Sequence, residues 1–285
     1  MKNGEAIYFI RKNKGYSQKY VAGDTMTQGA YSKFEKLNSE IRHSALMNIL
    51  NKLEVSPDEF MYIKQGYEHS IKDKMLNKLF TLTYNNTEVL QQLLSEAEIY
   101  LEENDDILIK DLCLVCKSLI VLSQTKDIVA ARVSLYKVWQ RLSQRDLLFI
   151  NDIYFVNFIL YLFPLETALE IKKFVYRSID KYKNFRNIER LKVNMAINMT
   201  LLLIKEDRYI EALIEVEEAI ALCKRFSDYK RLAVCYLRKG ICLNNLKVTK
   251  GDQWISKGKN ILIAIDELKI LNELEDEVNR FNKIL

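Results

Sequence analysis

The chain has 285 residues, of which 49% are hydrophobic and 28% charged, with 8 Gly, 2 Pro and a net charge of +5. So few Gly and Pro leave little material for the tight turns of a β-sandwich or barrel, or for glycine-rich phosphate loops. The longest strongly apolar stretch, 155–163, is far shorter than the ~20 residues that a membrane span needs. The scarcity of Gly and Pro therefore predicts an all-α protein. Because the N-terminus also shows no secretory signal pattern, we expect the protein in the cytoplasm, with no membrane partner.

Cysteine and histidine usage argues against an enzyme or a metalloprotein. An odd number of cysteines without a secretory signal favours buried thiols over disulfides. Cys113 and Cys116 form a C-x-x-C, but no second pair accompanies them, so a buried core is favoured over a zinc or redox site. The two histidines, His43 and His69, lie in polar surroundings far apart in the sequence. We expect no catalytic residues, no metal and no cofactor.

Residues 1–65 predict five short helices separated by turn residues. Ser17, Thr27, Ser44 and Ser56 are candidate N-caps, the last followed by a proline suited to the first helical position. Gly23 breaks the chain between the second and third helices. Two helices joined by a turn of this length inside a small bundle form a helix-turn-helix.

The stretch from Ile7 to Met61 resembles the helix-turn-helix domain of the XRE family of phage-repressor-like proteins. The matching pieces, in order, are Arg11, Ser17 with Gln18, Thr27 with Gln28, Phe34 with Glu35, and Val55–Phe60. Gly29 and Ala30 are smaller, and Tyr31 bulkier, than is usual in this family. The resemblance implies that Arg11 and Glu35 pair to fix the third helix, although a solvated Arg11 is an alternative.

A helix-turn-helix places the start of its second helix in the major groove of DNA. Gln can pair with adenine there and Lys with guanine, so Gln28 and Lys33, with Ser32 between them, are the candidate base readers. Phosphate contacts position such a protein without specifying sequence. The candidates for them are Gln18, Lys36 and Arg42, and Thr27 completes the predicted DNA-binding set.

Residues 66–285 predict an α-solenoid of about five tetratricopeptide-like helix pairs with a C-terminal capping helix. The predicted pairs span 71–104, 107–142, 147–182, 187–226 and 229–269, and the capping helix starts at 271. The segment Asp207–Leu213 resembles the start of the second helix in a tetratricopeptide repeat. In such solenoids the first helices of the pairs line a concave surface that binds peptides or proteins. A plain helical bundle without a ligand is the alternative.

Polar residues inside the apolar first helices are the candidate peptide-binding residues. Asn157 and Asn198 are about one repeat apart, and Asn can both donate to and accept from a peptide backbone. A structural hydrogen bond between helices is an equally good explanation. Asn194, in the same apolar segment as Asn198, is a third candidate. The weaker candidates are Arg145, Asn151, Tyr154, Arg231, Tyr236, Arg238 and Lys239.

The order of a helix-turn-helix and a degenerate tetratricopeptide-like region resembles the peptide-sensing regulators of the Rgg/MutR group. The resemblance implies a cytoplasmic homodimer that binds double-stranded operator DNA and responds to a short hydrophobic peptide, as in quorum sensing. It also implies that the C-terminal repeats help dimerisation, for which Leu271, Leu274, Val278 and Phe281 form an apolar stripe. The alternative function is a helical-repeat interaction scaffold that binds DNA but no peptide.

Overall fold

The computed structural model describes residues 1–82, 86–183, 185 and 188–282, and within them the secondary structure is entirely helical. The chain divides into two compact units, Met1–Asn77 and Lys78–Leu285. This boundary lies inside a helix, α6 (Ile71–Phe80), and later than the one predicted at residue 65. No Gly, Pro or change of composition marks the position, so the sequence pattern alone does not locate it.

The first unit contains five helices before α6, as the sequence predicts. They are α1 (Asn3–Asn13), α2 (Gln18–Ala22), α3 (Gln28–Leu37), α4 (His43–Lys52) and α5 (Pro57–Lys64). The hydroxyl groups of Ser17, Thr27 and Ser56 accept hydrogen bonds from the backbone N–H three residues on, so these three predicted N-caps are confirmed. The predicted cap at Ser44 is wrong, because α4 begins at His43 with Arg42 in the cap position, two residues earlier than predicted.

The core of the first unit is a single apolar cluster to which all five helices contribute. Ile7, Tyr31, Phe34, Ile49 and Phe60 are each at most 3% exposed. Burial of side chains of this size contributes roughly 1.5–3 kcal/mol each. The cluster holds α3 by its apolar face and therefore fixes which of its residues face outward.

The second unit consists of helices joined by short connections. They are α7 (Thr87–Glu103), α8 (Ile107–Thr125), α9 (Ile128–Ser143), α10 (Ile150–Ile159), α11 (Leu165–Asp180), α12 (Leu191–Lys205), α13 (Tyr209–Arg225), α14 (Tyr229–Asn245), α15 (Gly251–Ala264) and α16 (Leu268–Phe281). Four complete pairs, α8/α9 to α14/α15, match predicted pairs. The first predicted pair differs, because most of α6 belongs to the other unit. The predicted start at 187 lies outside the described residues.

The even-numbered helices from α8 to α16 contact one another in series, each touching the next. They therefore form one continuous layer, as expected for the first helices of a repeat array. This layer carries the cavity described below.

The helix α16 packs against its own chain. Leu271, Leu274 and Val278 are each at most 9% exposed, and α16 contacts α14 and α15. Three of the four residues of the predicted dimerisation stripe are therefore covered within the chain, whereas Phe281 is half-buried. A role of α16 in dimerisation stays a prediction. The end of the predicted capping segment, beyond residue 282, lies outside the described residues.

All five cysteines are free and buried. Burial raises the pKa of the Cys116 thiol to about 12. The thiolate is the reactive and metal-binding form, and burial disfavours it at Cys116.

Candidate functional sites

A buried ion pair links α1 and α3 of the first unit. Arg11 Nε donates to Glu35 Oε1 over 2.6 Å and Arg11 Nη2 to Glu35 Oε2 over 2.8 Å. Arg11 Nη1 also donates to the backbone oxygen of Tyr16. The two side chains are 6% and 0% exposed. Burial alone would raise the pKa of Glu35, but the hydrogen bonds from Arg11 and Gln18 hold it below its ordinary value.

The outer face of α3 is polar and open. Gln28, Lys33 and Lys36 are exposed and Ser32 is half-buried, whereas Tyr31 and Phe34 point into the core. Thr27 caps the helix by accepting from the Ala30 amide over 3.2 Å. Arg42 is exposed at the cap position of α4.

Gln18, predicted to contact a phosphate, also has a partner inside the first unit. Its Nε2 donates to Glu35 Oε2 over 2.8 Å, and the residue is half-buried. The amide thus completes the hydrogen bonding of the buried carboxylate, which would otherwise lack a partner for one of its lone pairs. Sequence reasoning missed this because the pairing joins residues that are far apart in the chain.

The even-numbered layer of the second unit contains a cavity of about 290 Å³. It is bounded by α10, α12, α14 and α16 together with Leu82. Its lining combines apolar side chains with a few polar and charged ones: Leu82, Asn157, Phe158, Asn194, Ile197, Asn198, Leu201, Arg231, Val234, Arg238, Ile270, Glu273, Leu274 and Glu277.

Asn157 and Asn198 meet in the wall of this cavity. Asn198 Nδ2 donates to the backbone oxygen of Asn157 over 2.8 Å, which joins α12 to α10. Asn157 Nδ2 donates to the backbone oxygen of Ile153, one turn earlier, over 3.1 Å. Asn157 is only 3% exposed, and its Oδ1 has no hydrogen-bond partner among the described residues. A buried acceptor left in this state costs about 1–3 kcal/mol, so it favours a ligand that donates to it.

The arginines of the cavity are held by partners within the chain. Arg238 donates from Nε and Nη2 to Glu277, over 2.6 and 2.9 Å, and from Nη1 to the backbone oxygen of Ile197. Arg231 donates from Nη1 to Asp228 Oδ2 over 2.8 Å. Arg238 therefore clamps α12, α14 and α16 together.

Five of the ten predicted peptide-binding residues lie elsewhere. Arg145 and Asn151 line a separate hollow, where Arg145 pairs with Asp152. The Tyr154 ring stacks on Phe80 at 4.2 Å between centroids. The other two, Tyr236 and Lys239, both contact the Trp254 ring. A polar residue in a helix marks a surface without telling which one, so the sequence does not separate these five from the five that line the cavity.

The cavity also contains residues that sequence reasoning missed. Most are apolar side chains, which the periodic pattern cannot separate from core, and four of them lie on α10, α12 and α14. Glu273 and Glu277 of α16 were detectable. They are four apart and share a face with Ile270 and Leu274, so an acidic edge beside an apolar stripe was visible in the sequence.

Within the described residues there is no group of three or more His, Cys, Asp or Glu side chains that could hold a metal ion. In the same part of the chain, no helix is both long enough and apolar enough to cross a membrane.

Several solved proteins share this all-α fold. A candidate transcriptional regulator from Listeria monocytogenes EGD-e superposes with a TM-score of 0.75 at 18% identity, covering 98% of this chain and 96% of that one. A cysteine-to-serine variant of the SHP pheromone receptor Rgg2 of Streptococcus dysgalactiae gives 0.71 at 16% identity, covering 98% and 99%.

Bacillus thuringiensis PlcR, solved in complex with the peptide PapR7 and DNA, gives a TM-score of 0.70 at 17% identity, covering 96% of this chain and 98% of that one. The chain therefore has the all-α fold of the Rgg and PlcR regulators over nearly its whole length. No protein-family model and no curated protein sequence matches the chain.

Proposed function

We propose that this protein is a sequence-specific DNA-binding transcriptional regulator controlled by a short hydrophobic peptide, acting in the cytoplasm as a homodimer. The observation that carries the proposal is the half-open cavity that Asn157, Asn194 and Asn198 line together with apolar side chains, where Asn157 Oδ1 has no hydrogen-bond partner among the described residues. The solved structures with this fold support it, since one is a pheromone receptor and another holds a peptide and DNA.

A peptide backbone fits the polar groups of the cavity. Its N–H groups can donate to Asn157 Oδ1, and its side chains can pack on Phe158, Ile197 and Val234. About 290 Å³ is near the lower end of ligand-pocket volumes. The cavity therefore receives part of a peptide of about five to ten residues, and the rest extends along the even-numbered helices.

DNA binding is assigned to the exposed face of α3. Gln28 and Lys33 are the proposed base readers, and Lys36 and Arg42 the proposed phosphate contacts. The Arg11–Glu35 pair holds this helix from its buried side, so its outer face has a fixed orientation within the first unit.

The peptide site is tested by Asn157→Leu, measured with a labelled peptide recovered by panning a random octapeptide library against the full chain. The substitution removes an unpartnered acceptor, so we expect the peptide-free protein to be about 1–3 kcal/mol more stable. Peptide affinity should fall about tenfold to a hundredfold. Asn151→Leu, outside the cavity, is the control. Wild-type peptide affinity in Asn157→Leu would contradict the assignment.

The DNA site is tested by comparing Lys33→Ala with Lys36→Ala on a duplex selected from a random library and on a random duplex. Lys33→Ala should lose most of the discrimination between the two. Lys36→Ala should weaken binding to both duplexes and reduce the slope of log affinity against log salt by about one. Equal losses from both variants on both duplexes would contradict the assigned roles.

The second candidate function is a DNA-binding interaction scaffold without a peptide ligand. The hydrogen bond from Asn198 to the Asn157 backbone favours it, because this bond joins two helices without any ligand. Under this alternative, panning recovers no peptide whose binding depends on Asn157.

A further inference from the structure

Gly29 is the second residue of α3, and nothing inside the described structure requires a glycine there. Its φ is not positive, and a Cβ built on it meets no atom within 4 Å. Glycine is the least favourable residue after proline in a helix, because it loses the most backbone freedom on folding. The chain therefore carries an unfavourable residue with no intramolecular reason for it.

The remaining seven glycines of the chain each have such a reason. Gly15, Gly23 and Gly66 adopt positive φ, a conformation that other residues rarely adopt. The other four, Gly4, Gly240, Gly251 and Gly258, sit where a Cβ would lie 1.7 to 2.5 Å from its nearest neighbour. Against this background Gly29 is the exception.

Gly29 lies at the centre of the exposed polar face of α3. At about 100° per residue, Ser32, Lys33 and Lys36 all fall within about 60° of it around the helix. Tyr31 and Phe34, which point into the core, lie on the other side. The missing side chain is therefore at the middle of the surface that carries Lys33 and borders Gln28.

We propose that Gly29 is a specificity-determining residue, whose bare backbone lets the first turn of α3 approach the floor of the DNA major groove. This inference rests on the proposed DNA-binding function and adds a requirement to it. Hydrogen bonds from Gln28 and Lys33 to base edges need donor–acceptor distances of about 2.7–3.2 Å. A side chain at position 29 would lie between the helix and the groove and would keep Gln28 and Lys33 beyond hydrogen-bonding distance of the base edges.

The proposal predicts that Gly29→Ala changes stability and DNA binding in opposite directions. The melting temperature of the full chain should stay equal or rise, because alanine is the better helix residue. Affinity for a duplex that the wild-type chain selects from a random library should fall about tenfold or more, as measured by fluorescence anisotropy.

The variant Gly29→Lys distinguishes the effect of the distance between α3 and the groove from the effect of positive charge. An added cation strengthens binding to any duplex through the phosphates. We expect Gly29→Lys to bind a random duplex at least as well as wild type, but the selected duplex about tenfold more weakly. Ser44→Thr, which adds one carbon at the exposed second residue of α4, is the matched control and should keep wild-type affinity.

Wild-type affinity of Gly29→Ala for the selected duplex would overturn this inference and leave the proposed function standing. A wild-type chain that selects no duplex would overturn the proposed function, and this inference with it.

Discussion

At the scale of single residues, the Arg11–Glu35 pair shows how a buried charge is made tolerable. A carboxylate that is fully buried costs several kcal/mol in lost hydration unless its oxygens are hydrogen-bonded. Glu35 receives hydrogen bonds from Arg11 and Gln18, which come from α1 and α2. The bidentate geometry fixes the rotation of α3 more narrowly than apolar packing alone does, because each bond allows only a small range of angles.

Removing one partner should therefore cost far more than removing an exposed charge. We expect Arg11→Met to destabilise the first unit by about 3–5 kcal/mol, since Glu35 is left buried without its cation. Lys12→Met, at the exposed neighbouring position, is the control and should stay within about 0.5 kcal/mol. Amide hydrogen exchange in α1 and α3 measures the change in stability of each variant. A small effect in Arg11→Met would show that water replaces the guanidinium.

The same pair predicts an acid-sensitive first unit. The pKa of Glu35 is lowered in the folded state, so its contribution to stability is complete above the ordinary value of 4.5 and is lost as pH falls through the folded pKa. Protection of α1 and α3 from exchange should drop in that acid range in the wild type. In Glu35→Gln the drop should be smaller, because the titrating group is gone.

At the scale of helices, α16 caps the repeat array, as its sequence pattern predicts. Its apolar stripe covers the end of the repeat array, and Glu277 holds Arg238, which also bonds to the backbone of α12. The Arg238 side chain is 7% exposed and that of Glu277 15%. The clamp forms one side of the cavity, so the position of α16 and the shape of the cavity depend on each other.

Breaking this clamp should loosen α16 selectively. Glu277→Ala leaves Arg238 buried without its carboxylate, so we expect a loss of about 3–5 kcal/mol in the stability of the α14/α16 region. Asp276→Ala, exposed on the same helix, is the control. Faster amide exchange in α16 for Glu277→Ala alone is the expected result. Equal exchange in the two variants would contradict the clamp.

Helices and their order were predictable because their signals are local. Caps such as Ser17 and Ser56 act on residues within one turn, and apolar periodicity repeats along a single helix. The cavity was predictable only in part, since Asn157 and Asn198 were visible as polar residues in apolar helices. Contacts between distant segments, such as Gln18 with Glu35 or Arg238 with Glu277, leave no local pattern, so the sequence did not indicate them.

At the scale of the whole molecule, two compact units in one chain separate the proposed functions. The exposed face of α3 belongs to the first unit and the cavity to the second. A peptide in the cavity can change DNA binding only if it binds more tightly to one of two conformations that differ in DNA affinity. The energetic coupling between the sites is then the quantity that defines regulation.

Coupling of this kind is reciprocal, which gives a strict test. If saturating peptide changes the affinity for the selected duplex by some factor, then saturating duplex must change the affinity for the peptide by the same factor, typically about 5- to 150-fold. Fluorescence anisotropy with a labelled duplex and, separately, a labelled peptide measures both factors on the full chain. Asn157→Leu should bind DNA like the peptide-free wild type and show no response to peptide. If peptide and duplex both bind but neither changes the affinity for the other, the cavity binds a peptide without controlling DNA binding.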